Sequence, residues 1–516
     1  MSKFKAFLNT VRYLKPIQIV WRIFLLFRKM FTPKINSEIP TVKPFYLKQY
    51  QGELPNENFI KVFSDIISPE FVNWNDSKRT KLWLYHLHYF DYIANFEGKL
   101  GLALIENWID NNPPGQVPGW EPYPIALRIV NWFKFISRYE IEPNSKIVQS
   151  LYIQMIWLYK FREYHLLANH YFKGLVALLY SSYFFNKRKM FKWSIRQIKK
   201  QITEQVRSGL HYEFSPSYHA LFTKDLTDIY NLFNSNCLEV LYQGQLENAI
   251  HQALKWAKHL SKNQQYIQIG DVNYEGCPSA DTLIKEFKFI CESESQDDVK
   301  IHSEYFPILT NSDFEIMLLN APFSPDYNPA HSHCDKLAIL LWYRNIPIFI
   351  DTGNYNYENT PERKYARSVE AHNTVQIDNW QQAEMWGVFR VGNRRKVSNV
   401  QITPDEIQST FKHKKYIHTR SVGKVEKGLE IKDKLKCSGL NRYKLYFHLN
   451  PDLPYQISDN LVQFENYPLK VLLPVGTVSA QNTDYYPAMY SKREKNTIVV
   501  SGNFKDFIIL NTQVFQ

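Results

Sequence analysis

The feature that most constrains the fold is a change of hydrophobic periodicity near the middle of the chain. From about residue 56 to residue 292, apolar residues recur at the spacing of amphipathic helices. After the polar run ESESQDD they alternate with polar residues, which is typical of strands. At 516 residues the chain is also too long for one small core. We therefore predict an α+β multidomain protein, with a helical domain over residues 1–298 and a β-rich domain over residues 299–516.

Each half has its own internal organisation. About ten helices fit the first half, joined by short turns rich in Pro, Gly and Asn, which favours antiparallel helical hairpins. The clearest helical segments are 81–96, 125–138, 147–159, 165–185 and 226–236. In the second half, many short strands with frequent turn residues indicate a large antiparallel β-sandwich. The junction of two such units is a natural place for a cleft.

Charge predicts a polyanionic partner. The sequence has 62 Lys and Arg against 50 Asp and Glu, a net charge of +12, which attracts polyanions at long range. Nucleic acid, anionic lipid and acidic polysaccharide all satisfy this charge, so charge alone does not choose among them. We expect no nucleic-acid partner, because no zinc finger, RNP motif or lysine-rich tail is present and the basic residues are scattered. Aromatic residues make up 16% of the chain. Some of these rings can line a sugar-binding cleft, although most are expected to pack between helices.

Cysteine usage and the first residues bear on location. The five cysteines are an odd number without a CxxC pair, which favours a reducing compartment. The apolar run 17–27 is broken by Arg22, lacks a signal-peptide cleavage site and is too short to span a bilayer. We therefore predict a cytoplasmic protein with no clear signal peptide. This basic amphipathic segment either docks on its own domain or makes a peripheral contact with the inner face of the membrane.

Two stretches of the helical half carry candidate site residues. In REYHLLANHYFKG, Asn169 and His170 are neighbours, and His165 is expected four residues earlier on the same helix face. In GLHYEFSPSYHAL, the Ser-Pro step predicts a helix start and places Tyr218 in the first turn. The structural alternative is a hydrogen-bonded core residue for the Asn and His side chains and an amphipathic packing ring for the tyrosine.

A third stretch lies in the β-rich half. His331, His333 and Asp335 alternate before a strand, so their side chains are expected to point the same way. Asp351 ends the next strand, and His372 begins a further strand in AHNTVQID. Two histidines and an aspartate on neighbouring strands suit a tetrahedral zinc site with a fourth ligand such as water. On spacing alone, the alternative to a zinc site is that these histidines and aspartates are buried side chains with a structural role.

Together these stretches resemble the heparinase II/III-like polysaccharide lyases, including related alginate lyases and dermatan-type epimerases. The most specific match is H-x-H-x-D, a strand, D-x-G and then HNTV, and NH and SPSYH occur in the same chain order. Upstream, LWLYHLHYFD and WEPYPIALRIVNW look like the N-terminal toroid of a subgroup. The resemblance spans about residues 83–394. It implies an incomplete (α/α) toroid followed by an antiparallel β-sandwich, with the polysaccharide between them.

The resemblance also implies roles for individual residues. Asn169 would neutralise a uronate carboxylate with help from His170, Tyr218 would be the acid/base, and His331 would be a second base or a stabilising group. The implied ligands of a structural metal, usually zinc, are His333, Asp351 and His372. No organic cofactor is implied.

We therefore predict a polysaccharide lyase that cleaves a uronic-acid-containing acidic polysaccharide by β-elimination, in surface polysaccharide metabolism. Two alternatives remain open: a uronate C5-epimerase and a non-catalytic protein that binds acidic polysaccharide. In EMWGVFRVGNRR, Arg390 is predicted to contact an acidic sugar and Trp386 to stack on a ring, with ordinary surface packing as the alternative. The sequence leaves open the uronate polymer, endo or exo action, and the oligomeric state.

Overall fold

The computed structural model describes residues 3–27, 41–50, 58–238, 243–292, 301 and 303–516. The predicted boundary between residues 298 and 299 lies outside these ranges. Twelve α-helices occur in the described residues. They are α1 Lys3–Val11, α2 Pro16–Leu26, α3 Lys81–Tyr89, α4 Gly98–Asn111, α5 Pro122–Arg138, α6 Ser145–Lys160, α7 Ala168–Phe184, α8 Arg188–Gln205, α9 Pro216–Ser235, α10 Gln243–His259, α11 Ala280–Cys291 and α12 Pro361–Ala366.

The strands are concentrated in the second half of the chain. They are β1 Ile60–Val62, β2 Asp65–Ile67, β3 Val206–Arg207, β4 Leu210–His211, β5 Ser261–Lys262, β6 Gln265–Tyr266, β7 Ile308–Asn311, β8 Phe314–Leu318, β9 Ile339–Tyr343, β10 Ile346–Phe349, β11 Val375–Ile377, β12 Glu384–Trp386, β13 Arg390–Gly392, β14 Val397–Ile402, β15 Glu406–Lys412, β16 Ile417–Val425, β17 Gly428–His448, β18 Tyr455–Ser458, β19 Leu461–Phe464, β20 Lys470–Leu472, β21 Thr477–Tyr485 and β22 Arg493–Phe515.

The C-terminal half is a β-sandwich of antiparallel sheets. Four strands form one sheet in the order β10-β9-β8-β7, and a ten-stranded sheet is built around β17 and β22. Ile316 and Leu341 of the small sheet share a hydrophobic core with Leu429 and Val500 of the large sheet. The predicted fold class, a helical N-terminal half followed by a β-sandwich, is confirmed. The toroidal arrangement of the helices stays a prediction.

The small sheet also joins the two halves. Strands β8 and β9 alternate side chains between two cores, because successive residues of a strand face opposite ways. Leu341 faces the sandwich core, whereas its neighbours Leu340 and Trp342 pack into the core of the helices. The loops that precede and follow these strands therefore lie against the helical half. This is where the candidate residues meet.

Two helix boundaries differ from the prediction. The predicted segment 81–96 ends as an α-helix at Tyr89, because Phe90 has a φ of 63° that a right-handed helix does not allow. The predicted segment 165–185 forms α7, which begins only at Ala168, so His165 lies in a turn and not on the helix face of Asn169. Leu167 and Ala168 have φ values of 59° and 51°, in the left-handed region that interrupts a right-handed helix. This turn places Asn169 at the start of α7. Among the described residues, no helix is long and apolar enough to cross a membrane.

Candidate active site

A tyrosine and a histidine from the two halves of the chain meet face to face. Tyr218 lies in the first turn of α9, as the Ser-Pro step predicts, and His331 lies in the loop before β9. Their rings stack with centroids 3.7 Å apart and planes inclined by 25°. The Tyr218 hydroxyl is also 3.2 Å from the hydroxyl of Tyr357. The stacked pair therefore places a phenol and an imidazole side by side where the helical half meets the β-sandwich.

His331 is held in place by Asp271, which lies in the loop after β6. Nδ1 of His331 is 2.9 Å from Oδ2 of Asp271, and the Asp271 amide donates to the His331 carbonyl at 3.1 Å. Gly270 allows this close approach. It has φ of 60°, and a Cβ there would lie 2.5 Å from the His331 carbonyl oxygen. An imidazole whose Nδ1–H donates to a carboxylate keeps a lone pair at Nε2.

Asp271 is the centre of a buried charged cluster. Its Oδ1 accepts from His333 Nε2 at 2.8 Å, and both of its oxygens bind the guanidinium of Arg363, with Nη2 2.9 Å from Oδ2. Burial raises the pKa of this carboxyl, but Arg363 and then the two histidines outweigh burial and hold the pKa well below its ordinary value. Asp271 is therefore a carboxylate. The bidentate Arg363 contact fixes its orientation.

Asn169 contacts a second buried carboxyl group, that of Glu213. Its backbone amide donates to Glu213 Oε1 at 3.3 Å, and its side-chain Nδ2 is 3.5 Å from Oε2. The same Oε2 is 3.7 Å from Nε2 of His331. Burial raises the pKa of Glu213, and the opposing effects of His331, Asn169 and His170 do not cancel this rise. Glu213 thus links the predicted carboxylate clamp to His331.

His170 lies beside Asn169 and is held by a third carboxylate. Its Nδ1 is 3.0 Å from Oε2 of Glu163, and its ring packs on Tyr123 with centroids 4.2 Å apart. Burial lowers the pKa of His170, but Glu163, followed by Glu213, raises it more, so that the net shift is upward. The charged imidazolium is therefore favoured at this position.

The surroundings of Tyr218 favour a neutral phenol. Burial raises the pKa of Tyr218 well above its ordinary value, and Tyr357 and Asp271 raise it further. Both neighbours are neutral or negative, so neither stabilises a phenolate. The sequence left open whether Tyr218 acts first as a base or as an acid. Its environment keeps the phenol protonated, which is the form that an acid must have at the start of the reaction.

The predicted metal ligands lie close together, but as two histidine–carboxylate pairs. His333 binds Asp271 through Nε2, and His372 Nδ1 is 2.7 Å from Asp351 Oδ2. The other ring nitrogens, His333 Nδ1 and His372 Nε2, are buried without a hydrogen-bond partner, and the rings are 5.5 Å apart. Two such nitrogens suit a metal whose histidines are oriented by carboxylates. However, no group of three or more His, Cys, Asp or Glu side chains able to hold a metal occurs within the described residues. Zinc binding stays a prediction.

The predicted sugar-binding residues lie on a hairpin formed by β12 and β13. The guanidinium carbon of Arg390 lies 4.5 Å from the ring centroid of Trp386, whose Nε1 donates to Thr10 of α1 at 2.9 Å. The tip of the same hairpin approaches the stacked pair, because the Phe389 ring is 6.2 Å from that of His331. Sugar contacts of Trp386 and Arg390 stay predictions.

Five residues of this cluster were not singled out from the sequence: Glu163, Glu213, Asp271, Tyr357 and Arg363. Glu213 lies inside the stretch that identified Tyr218, and its charge among apolar neighbours was an available signal. Asp271 ends the apolar run YIQIG, where an isolated carboxylate is unusual in the same way. Arg363 and Tyr357 carry no comparable local signal.

Known proteins share this architecture. Residues 302–506 match the family model for heparinase II/III-like C-terminal domains. A crystal structure of heparinase III aligns with 15% identity and a TM-score of 0.70, covering 86% of this chain and 79% of that one. The heparan sulfate lyase HepC from Pedobacter heparinus aligns with 13% identity and a TM-score of 0.56, covering 97% and 88%. No curated protein sequence matches the chain. The resemblance indicated by the sequence motifs is confirmed, and the structural likeness is one of fold.

Proposed function

We propose that this protein is a polysaccharide lyase that cleaves a uronic-acid-containing acidic polysaccharide by β-elimination. The observation that carries the proposal is the stacked pair of Tyr218 and His331. Asp271 binds Nδ1 of this histidine, and Asn169 contacts the nearby Glu213. These groups supply an acid, a base and a carboxylate clamp at one junction. The family match over residues 302–506 and the fold shared with heparinase III support the same function.

The first requirement of the reaction is to neutralise the uronate carboxylate. Removing the C5 proton adds negative charge to a system that already carries one, which is prohibitive without donors at the carboxylate oxygens. The amide of Asn169 and the imidazolium of His170 would provide these donors. Burial raises the pKa of Glu213, so a negative charge on this carboxyl beside the substrate is less favourable than on an exposed glutamate. Loss of one such donor typically costs about 10²–10³ in rate.

The second requirement is a base for C5 and an acid for O4. The lone pair at Nε2 of His331 would accept the C5 proton, since Nδ1 is engaged with Asp271. As the C4–O4 bond breaks, the phenol of Tyr218 would protonate O4. The products are a shortened chain and a 4,5-unsaturated uronate. The proton gained by His331 returns through solvent to the tyrosinate, which restores both groups.

The predicted zinc ion would have a structural role in this scheme. His333, His372 and Asp351 would hold it, and it would tie the loop before β9 to the loop before β11. Such an ion supplies no acid or base to the elimination. It would rigidify the loop that carries His331.

A polymer screen tests the proposed function. The purified protein would be incubated with heparosan, chondroitin, alginate and bacterial capsule polymers, with a neutral glucan as control. We expect one uronate polymer to be shortened with a rise in the ultraviolet absorbance of the new double bond. Binding should weaken with added salt, because counterions screen the +12 charge. Binding without shortening or absorbance, or equal binding of the neutral glucan, would contradict the proposal.

A further inference from the structure

The first two helices dock on the protein through both ring packing and hydrogen bonds, and Trp21 and Phe24 of α2 contact Tyr164 and Phe161. In α2, Gln18 is buried and its Nε2 donates to the His165 carbonyl at 3.2 Å. In α1, Asn9 donates to Glu384 at 2.9 Å, and Thr10 accepts from Trp386. The helix pair therefore touches both the helical half and the β12–β13 hairpin. Its position is fixed by this ring packing and by specific hydrogen bonds.

The opposite face of both helices is apolar and exposed. Phe4, Phe7 and Leu8 lie three and four residues apart on α1, and Phe4 is 68% exposed. On α2, Ile19, Ile23 and Leu26 have the same spacing, and Leu26 is 81% exposed. Large apolar side chains clustered in this way mark an interaction surface.

The described basic residues of this surface are Lys5, Arg12, Lys15 and Arg22, and the stretch of sequence that contains them is strongly basic. Before Glu38 the sequence has no Asp or Glu, whereas it has eight Lys and Arg residues. They are Lys3, Lys5, Arg12, Lys15, Arg22, Arg28, Lys29 and Lys34. The nearby carboxylates are already engaged, Glu204 by Lys15 and Glu384 by Asn9. Burial lowers the pKa of Arg22, and the positive charge of the neighbouring Arg390 lowers it further.

The chemistry of the surface selects its partner. Aliphatic side chains such as Ile23 and Leu26 offer little to a hydrated polysaccharide, which is bound through aromatic rings and polar groups. A helix pair with an apolar face flanked by Lys and Arg suits the boundary between headgroups and acyl chains of an anionic bilayer. Neither helix is long enough to cross a bilayer.

We propose that α1 and α2 form an interfacial membrane-binding element, which inserts its exposed apolar face into an anionic lipid surface. The element would hold the enzyme on the membrane with the β12–β13 hairpin alongside. Because that hairpin also carries Phe389 to the stacked Tyr218–His331 pair, the cleft would lie near the lipid surface. The proposal does not depend on the reaction catalysed.

Flotation of the full-length protein with lipid vesicles tests this proposal. Vesicles of phosphatidylcholine with phosphatidylglycerol would be compared with vesicles of phosphatidylcholine alone. The test variant is Ile23→Ser with Leu26→Ser, and the matched control is Leu440→Ser with Val475→Ser, two residues of the sandwich that are also highly exposed. All four side chains are solvent-exposed, so both variants should fold. Circular dichroism and thermal unfolding would confirm this.

We expect the wild type and the sandwich control to float with the anionic vesicles. The helix variant should bind about tenfold or more weakly, since the buried apolar area is lost. Replacing Arg12 by Gln should weaken binding by about fivefold, which is typical of one cation near an anionic surface. Wild type that fails to float, or a helix variant that binds like the control, would overturn the proposal. So would concentration-dependent dimerisation that the helix variant abolishes, because the face would then bind a second copy.

Discussion

Replacing Asp271 by Asn separates the positioning of His331 from the general stability of the fold. The substitution keeps the shape of the side chain but removes the charge that binds Arg363. Both side chains are almost fully buried. Loss of one partner of a buried, hydrogen-bonded ion pair costs about 3–5 kcal/mol, because the other charge is left uncompensated. That is a large part of the free energy of unfolding of a typical protein, about 5–15 kcal/mol.

The sandwich contains a matched control. Asp433 is fully buried and binds an arginine and a histidine, as Asp271 does. Arg420 Nε is 2.7 Å from Oδ1 and Nη2 is 2.9 Å from Oδ2, while His418 Nε2 is 2.6 Å from Oδ1. We expect Asp433→Asn to lower the free energy of unfolding by a similar amount. It should leave the turnover per folded molecule unchanged.

Asp271→Asn should behave differently in turnover. Without the carboxylate, His331 loses the group that fixes its orientation and its Nδ1 proton, so proton transfer should slow by about 10²–10⁴. Stability would be measured by urea unfolding followed by circular dichroism, and kcat would be normalised to the folded fraction. If the two variants had the same kcat per folded molecule, the positioning role of Asp271 would be refuted.

Three further predictions concern the acid, the clamp and the metal. Tyr218→Phe should keep stability and polymer binding while removing most turnover, and a near-wild-type rate would overturn its role as the acid. His170 should contribute stability that is present at low pH and lost as pH rises through its raised pKa, since Glu163 favours the imidazolium. Activity should fall over the same pH interval, and His170→Gln should abolish that step in the pH profile. Metal analysis should find about one zinc per chain, and His372→Ala should lower both zinc content and thermal stability. Zinc far below one equivalent in the wild type would count against the metal.

The sequence predicted the secondary structure well where a hydrophobic pattern decides it. Strands β8 and β9 follow the alternating runs, because each of them divides its side chains between two cores. The start of α9 followed from the Ser-Pro step. The start of α7 did not, because nothing in a Leu-Ala pair indicates two residues with positive φ.

The sequence predicted only part of the candidate site. Motifs identified Asn169, Tyr218 and His331, but not the carboxylates that hold them. Asp271 is 60 residues from His331 in the chain, and only tertiary packing brings the two together. Trp386 illustrates the converse. Its stacking on a sugar stays a prediction, whereas the structure shows its Nε1 donating to a threonine 376 residues away, a contact that the sequence did not indicate. Long-range partners of this kind leave no local pattern.

The most direct test of the proposed elimination is mass spectrometry of the products formed in deuterium oxide. Elimination breaks the C4–O4 bond and leaves C5 without a hydrogen. We therefore predict shortened chains with an unsaturated uronate at each new non-reducing end and no deuterium at C5. Full-length chains that carry deuterium at C5 would instead show epimerisation, and would contradict β-elimination by Tyr218 and His331.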